Sequence, residues 1–232
     1  MTHPEAGKPR DQLALRGPAD PADLRDGFPR AKSLAGTWYR AHSSTHPQMK
    51  DRGCWWFASY VPPATGGGRF DLPHPNGTCY FADDIEAAVR ERLGEPWAAH
   101  RYLTPVALAG TTVSQVNVSG HVKPGEIADT DHKGAVGYIT RELEAAAPYS
   151  LSQQHAAAFA DAGFEGILYR PRFTPGAARA LALFGAAGRP QPAQLATPVL
   201  GWKSTLSSPL RRTATRRRAK IVSEPPQAPA PR

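Results

Sequence analysis

Thr78-Cys79-Tyr80-Phe81-Ala82, followed by Asp83-Asp84-Ile85-Glu86-Ala87-Ala88-Val89-Arg90-Glu91-Arg92-Leu93-Gly94, holds two kinds of local structure in one stretch. The first five residues are aromatic and β-favouring and follow the turn signal Asn76-Gly77, which predicts a short strand. Asp83 with Glu86 three residues on has the form of a capping box, which predicts a helix start. Ile85, Ala88, Val89 and Leu93 then share one helical stripe, and Gly94 with Pro96 predicts the stop. A strand running directly into a capped helix is the seed from which the rest of the chain is read.

Working outward, Thr37 to Ala41 and Trp55 to Tyr60 read as aromatic strands, with 62–68 as a loop between them and the seed. Arg101 to Ala109 and Thr112 to Val118 read as two more strands. Gly134 to Ala147 reads as partly helical. Ser150 with Gln153 repeats the capping-box form and opens a helix to about Ala162, ended by Gly163. Gly166 to Arg170 and Ala180 to Phe184 close the series as strands. Strands in runs with few helices indicate an α+β fold rather than a strict βαβ alternation. The expected division is a flexible N-terminal arm over 1–33, with one short helix near Asp20 to Arg25, a single domain over 34–187, and a Pro-rich basic tail over 188–232. Trp202 is the exception in the tail, able to dock Val199 to Trp202 on the body.

Composition narrows the function classes. The 232 residues carry 28 Lys+Arg against 20 Asp+Glu, a formal net charge of +8. Seven of those cations lie between Arg211 and Arg232, opposed by Glu224 alone, so the basic character belongs mostly to the tail. Such a tail is either a solvated extension or a weak polyanion binder, and it lacks aromatic residues that would stack on bases. No apolar run reaches the ~18 residues of a membrane span. Charges and prolines over Met1 to Arg16 stand where a signal peptide needs an apolar stretch, so the expected location is cytoplasmic. Cys54 and Cys79, the two cysteines, are expected to be reduced thiols. His42 and His46 flank a loop rather than sharing a helix face, so no metal site is expected. Nucleotide-binding and hydrolase signatures such as Gly-x-x-x-x-Gly-Lys-Ser/Thr, Gly-x-Gly-x-x-Gly and Gly-x-Ser-x-Gly are absent.

The remaining chemistry rests on charged residues attached to aromatic segments. Arg40 follows Trp38 and Tyr39 within a strand, where a guanidinium either reaches the surface or meets an anion. Arg69 follows Gly66 to Gly68, which is either a mobile turn or a place where backbone and guanidinium approach a phosphate. Glu91 lies off the apolar stripe of its helix. It is solvated unless another layer covers that face, in which case it points into a cleft. Tyr80 is either core or a platform for a flat ring.

The order Trp38-Tyr39-Arg40, Gly68-Arg69-Phe70, Tyr80-Phe81-Ala82, then Glu91, resembles the RES-domain family. So do Tyr149-Ser150-Leu151-Ser152-Gln153, Gly163-Phe164-Glu165-Gly166-Ile167-Leu168-Tyr169-Arg170 and Leu181-Ala182-Leu183-Phe184. The resemblance spans roughly 34–187. It implies a compact mixed-sheet core resembling ADP-ribosyltransferases and a toxin-type enzyme that destroys NAD+, as an NAD+ phosphorylase using phosphate or an NAD+ glycohydrolase using water. NAD+ is then substrate, with no cofactor, and a cognate antitoxin protein is the implied partner. Carried over by position, Arg40 and Arg69 would hold the pyrophosphate or an incoming phosphate. Tyr39 and Tyr80 would contact the substrate, and Glu91 would be the acidic residue.

One position departs from the family. Its Ser falls in the strand after the last helix, where this chain reads Tyr169-Arg170-Pro171-Arg172. Pro171 has neither a hydroxyl nor a backbone donor. Ser150 and Ser152 are the candidate substitutes. Two other classes therefore stand beside the enzyme: an NAD+- or ADP-ribose-binding protein without turnover, and a nucleic-acid-associated protein acting through its basic tail.

Overall fold

The computed structural model describes residues 16–43, 53–62, 67–94, 103–123, 125–145, 149–174, 176–190 and 195–206. Its centre is a seven-stranded mixed sheet in the order β6-β7-β8-β4-β1-β5-β9. The strands are β1 (Trp38–Ser43), β4 (Asn76–Ala82), β5 (Thr111–Val116), β6 (Ile127–Asp129), β7 (Gly166–Tyr169), β8 (Ala180–Ala186) and β9 (Thr197–Pro198). A small parallel pair, β2 (Ser59–Tyr60) and β3 (Leu72–Pro73), stands apart. The helices are α1 (Pro21–Gly27), α2 (Ile85–Leu93), the single turn α3 (Glu142–Ala145) and α4 (Ser150–Asp161). Only β6 and β7 run parallel within the large sheet. The expected α+β class is what forms.

Alternation along the central strands splits the core between two faces. On β8, Ala180 and Ala182 join the cluster that holds Phe159 and Phe164, while Leu181 and Leu183 join the cluster of Trp38, Trp55 and Phe81. On β7, Ile167 and Tyr169 face the first cluster and Leu168 the second. This is the period of two that a strand imposes on its side chains. Because both faces are covered, all four residues of β7 are buried. A third cluster forms where α2 lays Ala87, Ala88 and Val89 against Ala41, Ala82 and Val113, and Trp202 docks there beside Val199 as expected.

The sheet is not evenly knit. β4 pairs with β8 at seven positions and β1 with β5 at six, but β1 and β4 pair only at Tyr39 and Ala82. The two halves of the sheet therefore diverge from that point, and the divergence opens the cleft described below.

Several local expectations are revised. The cap of α2 is Asp84, which accepts from Ala87 N–H at 2.8 Å. Asp83 instead donates its N–H to Arg179 O, just before β8, and its carboxylate accepts from the N–H (2.7 Å) and Nε (2.9 Å) of Arg179. Ser150 does not cap α4, whose N-cap is Tyr149 without a side-chain bond. Asn76-Gly77 lies inside β4, and the described part of Arg101 to Ala109 forms turns. Between Trp55 and Tyr60 only β2 is a strand, with isolated bridges at Phe57 and Ala58. Short β6 and β9 carried too few residues for a period to be read.

The arm expected over 1–33 is docked in its described part. Leu24 and Phe28 are buried against Phe159 and Phe164. Arg25 Nε donates to Ala162 O at 3.1 Å, and His155 Nε2 lies 2.9 Å from Arg16 O. Burying one Leu or Phe side chain contributes about 1.5–3 kcal/mol, enough to hold two turns of helix on the body. The basic run from Arg211 lies outside the described residues.

Candidate active site

Where β1 and β4 diverge, a cavity of about 340 Å³ opens against α2. Its lining includes Tyr39 and Arg40 from β1, Arg69 from the 67–71 loop, Tyr80 from β4 and Glu91 from α2. Five of the seven residues picked from sequence thus share one hollow. The other two do not line it. Ser152 is fully buried and its hydroxyl donates to Tyr149 O at 3.1 Å, while Ser150 sits on the first turn of α4. Pro171 is buried and also outside the lining. Among the described residues, no serine or threonine lines the cavity. Arg92, Tyr149, Tyr169 and Phe173 do, and sequence reading missed them in this role. Tyr149 and Tyr169 belong to motif segments, and nothing in their spacing says which way they face.

Arg69 is the most unusual group here. It is 6% exposed, yet its Nε and Nη1 have no hydrogen-bond partner. Its guanidinium carbon lies 5.6 Å from the ring centre of Tyr149 and 5.9 Å from those of Phe70 and Tyr169. Aromatic faces attract a cation but cannot accept its N–H bonds as an oxyanion does. A desolvated guanidinium with donors unspent costs free energy unless a ligand arrives.

The loop carrying Arg69 is held from four sides. Tyr80 Oη donates to Asp71 Oδ1 at 2.7 Å and accepts from Phe70 N–H at 2.9 Å. Asp71 Oδ2 accepts from Gly68 N–H at 2.7 Å. Thr78 Oγ1 donates to Phe70 O at 2.7 Å, and Gln153 Nε2 donates to Gly68 O at 3.0 Å. Gln153 therefore serves the loop rather than its own helix cap. A Cβ on Gly68 would stand 2.6 Å from Tyr80 Oη and 2.8 Å from Asp71 Oδ1, so glycine permits this close approach. Burial raises Asp71 above the ordinary carboxylate range, opposed by these hydrogen bonds and by the charge of Arg40. The hydroxyl of Tyr80, read from sequence as core or ring platform, is committed to fixing Arg69 in place.

Arg40 spans the gap between the diverging strands. Its Nη1 donates to Trp56 O at 3.0 Å and contacts Cys79 Sγ. Cys54 and Cys79 are free and buried, and burial pushes their thiols up to about 12 and about 11. They are poor nucleophiles in that state. Arg92 Nη2 donates to Ser43 Oγ at 2.8 Å, and its pKa is lowered by burial and by the nearby Arg40 charge. His42, which is within β1 and not in a loop, is lowered mainly by burial, with the charges of Arg40 and Arg92 adding to it. Among the described residues, no three of His, Cys, Asp and Glu come together as a metal group.

Glu91 is covered, as its sequence alternative required. The covering layer is the 171–174 segment, whose Phe173 N–H donates to Glu91 Oε1 at 3.0 Å. Burial raises the Glu91 pKa, against the lowering effects of that N–H, the Arg69 charge and Arg172. The cavity thus has one buried cation with open donors, Arg69, on one side and a carboxylate largely withdrawn from water on the other.

Comparison with protein families matches the RES domain over residues 37–205. The chain belongs to the RES-domain family. The match reaches past 187 and takes in β9 and the docked Trp202. A chain of the crystal structure of the M. tuberculosis MbcT–MbcA toxin–antitoxin complex is similar at 16% identity and a TM-score of 0.49, covering 77% of this chain and 88% of that one. Among curated proteins, no sequence matches significantly. No helix among the described residues of this RES protein is long and apolar enough to cross a membrane.

Proposed function

We propose that this protein cleaves the nicotinamide–ribose bond of NAD+, passing the ADP-ribosyl group to phosphate or water. The observation that carries the reading is Arg69: a buried guanidinium with unspent donors, sharing a cavity with Arg40 and Glu91. The pyrophosphate of a dinucleotide is the kind of doubly anionic group that two fixed guanidiniums accept. Tyr39, Tyr80, Tyr149 and Tyr169 supply flat apolar walls for the rings and ribose.

The chemistry makes few demands. Nicotinamide leaves as a neutral molecule because its ring is cationic while bonded, so no strong general acid is needed. Positive charge grows on the ribose as the bond breaks, as in glycoside hydrolysis. Ionised Glu91 stabilises that charge and orients the ribose hydroxyls. Arg40 and Arg69 hold the anionic middle still, so the bond to be broken meets the carboxylate. Phosphate or water then bonds to the sugar carbon that nicotinamide has left. An enzyme that drains NAD+ needs restraint, and a cognate antitoxin is the partner that family membership suggests.

The test is incubation of purified protein with NAD+, with nicotinamide read by proton NMR in the presence and absence of phosphate. Nicotinamide release that is lost in Glu91→Gln supports the reading. Unchanged release in that variant defeats it. A second reading, binding of NAD+ or ADP-ribose without turnover, is favoured by Pro171 and by the lack of a serine in the described lining. Calorimetric binding with no nicotinamide above background would select it.

A further inference from the structure

The strand that ends at Tyr169 runs into a segment with an unusual set of restraints. Arg170 N–H donates to Glu144 Oε1 at 3.1 Å. Its Nη2 meets Asp131 Oδ2 at 2.5 Å. Its Nη1 lies 3.5 Å from both Gly176 O and Ala178 O. One side chain therefore ties the start of the 171–178 segment to its end and anchors both to Asp131, just after β6. The anchor is itself braced. Thr130 Oγ1 donates to Glu144 Oε1 at 3.0 Å, and Arg141 reaches Asp131 at 3.1 Å and Glu144 at 3.3 Å. Glu144 is 7% exposed, so its bonds are largely shielded from water.

At the near end of the tied segment, Phe173 N–H donates to Glu91. Pro171, where the family carries serine, brings no donor of its own, yet two residues later the backbone supplies one. We infer that Arg170 is a positioning residue for Glu91: it closes the neck of the 171–178 segment so that the Phe173 N–H meets the carboxylate. This rests on the reading of Glu91 as the carboxylate of the reaction. Arg170 does not line the cavity, so it acts through the segment.

A hydrogen bond from a fixed N–H favours the ionised carboxylate. Glu91 is desolvated, and burial pushes its pKa upward. The charged and titratable groups facing it are Arg69 from the 67–71 loop, Arg172 from the segment itself and Tyr169 from β7. The loop that carries Arg69 is held independently by Tyr80, Asp71 and Gln153, so it stays when the segment loosens. The Phe173 N–H does not. Loosening the neck therefore removes one of the groups that oppose the upward shift.

The test is a carbon-13 NMR titration of the Glu91 side-chain carboxyl in the full chain, comparing wild type with Arg170→Met. This readout needs no turnover, so it separates failure of the inference from failure of the proposed reaction. The Glu91 pKa is expected to rise by about one unit or more in Arg170→Met, the scale of one lost hydrogen bond to a charged group. Amide exchange at Phe173 should speed up in the same protein. Asp131→Asn, which removes the charge opposite the guanidinium and leaves Arg170 in place, should move both readouts in the same direction by less, and it decides the matter if Arg170→Met fails to fold. An unchanged Glu91 pKa in the folded variant overturns the inference, whatever its effect on thermal stability.

Discussion

Two sets of arginines divide this molecule. Arg90, Arg141, Arg170 and Arg179 each meet a carboxylate, at distances from 2.5 to 3.3 Å. Arg40, Arg69 and Arg92 line the cavity, and none of them forms an ion pair among the described residues. Within the first set Arg90 pairs with Glu86 along one helix, Arg179 ties the start of β8 to the β4–α2 junction, and Arg170 ties a segment to its neck. The second set is spent on one backbone carbonyl, a thiol, a hydroxyl and aromatic rings, or in part on nothing. Charge paired within the fold is already spent there, whereas charge left open in a hollow is available to a ligand. The sequence shows 28 basic residues without saying which belong to which set.

The comparison can be broken most sharply at Glu91, the carboxylate of the open set. Glu91→Gln keeps shape and loses charge, so nicotinamide release should fall by about a hundredfold or more while NAD+ affinity stays within a few-fold. Arg69→Met should come next, lowering kcat/KM by about 10- to 100-fold, the worth of a charge-assisted bond to an anion. Tyr80→Phe leaves the ring but frees Asp71 and Phe70 N–H, so the loop loosens. A loss of about 1–3 kcal/mol in urea unfolding and about tenfold in rate is expected. Arg90→Met, from the paired set, leaves Glu86 half-orphaned. It should cost about 1–3 kcal/mol of stability and leave nucleotide affinity unchanged.

The pH profile sharpens the same point. In the proposed reaction Glu91 acts ionised, and its pKa is raised by burial. Activity should therefore be full above that raised value and fall as pH drops through it, with the acid limb of kcat/KM lying above the ~4.3 of an ordinary glutamate. In stability the sign reverses. A carboxyl whose pKa is raised by folding helps the folded state below its unfolded pKa, and that help is lost as pH rises through the folded one. Glu91→Gln should flatten this dependence in pH-resolved thermal melts.

Much of this is legible in the sequence. The strand Thr78 to Ala82 and the helix to Leu93 announced themselves by aromatic content, a stripe and a glycine stop. The order of motif residues around Arg40, Arg69, Tyr80 and Glu91 pointed to one cavity. Other features were hidden for physical reasons. Asp83 and Asp84 are equally good caps on paper, and only the pairing of Asp83 with Arg179 decides between them. Ser150 with Gln153 has the form of a capping box, but Gln153 reaches the distant Gly68 O instead. That contact crosses 85 positions of sequence, and no local rule contains it. The burial of Leu24 and Phe28 was masked by the prolines and charges around them. Ser150 and Ser152 are candidates only because Pro171 lacks a hydroxyl, and neither lines the cavity. The donor that meets Glu91 is the backbone N–H of Phe173, which pattern reading does not see.

The central claim is that the open guanidiniums hold a dinucleotide's anionic middle. Calorimetric titration of ADP-ribose, which has the pyrophosphate but no bond to cleave, tests it with wild type, Arg69→Met and Arg90→Met side by side. At least a tenfold weaker Kd for Arg69→Met, with wild type and Arg90→Met alike, is the predicted result. Equal affinity in all three proteins, or no binding by the wild type, would contradict it.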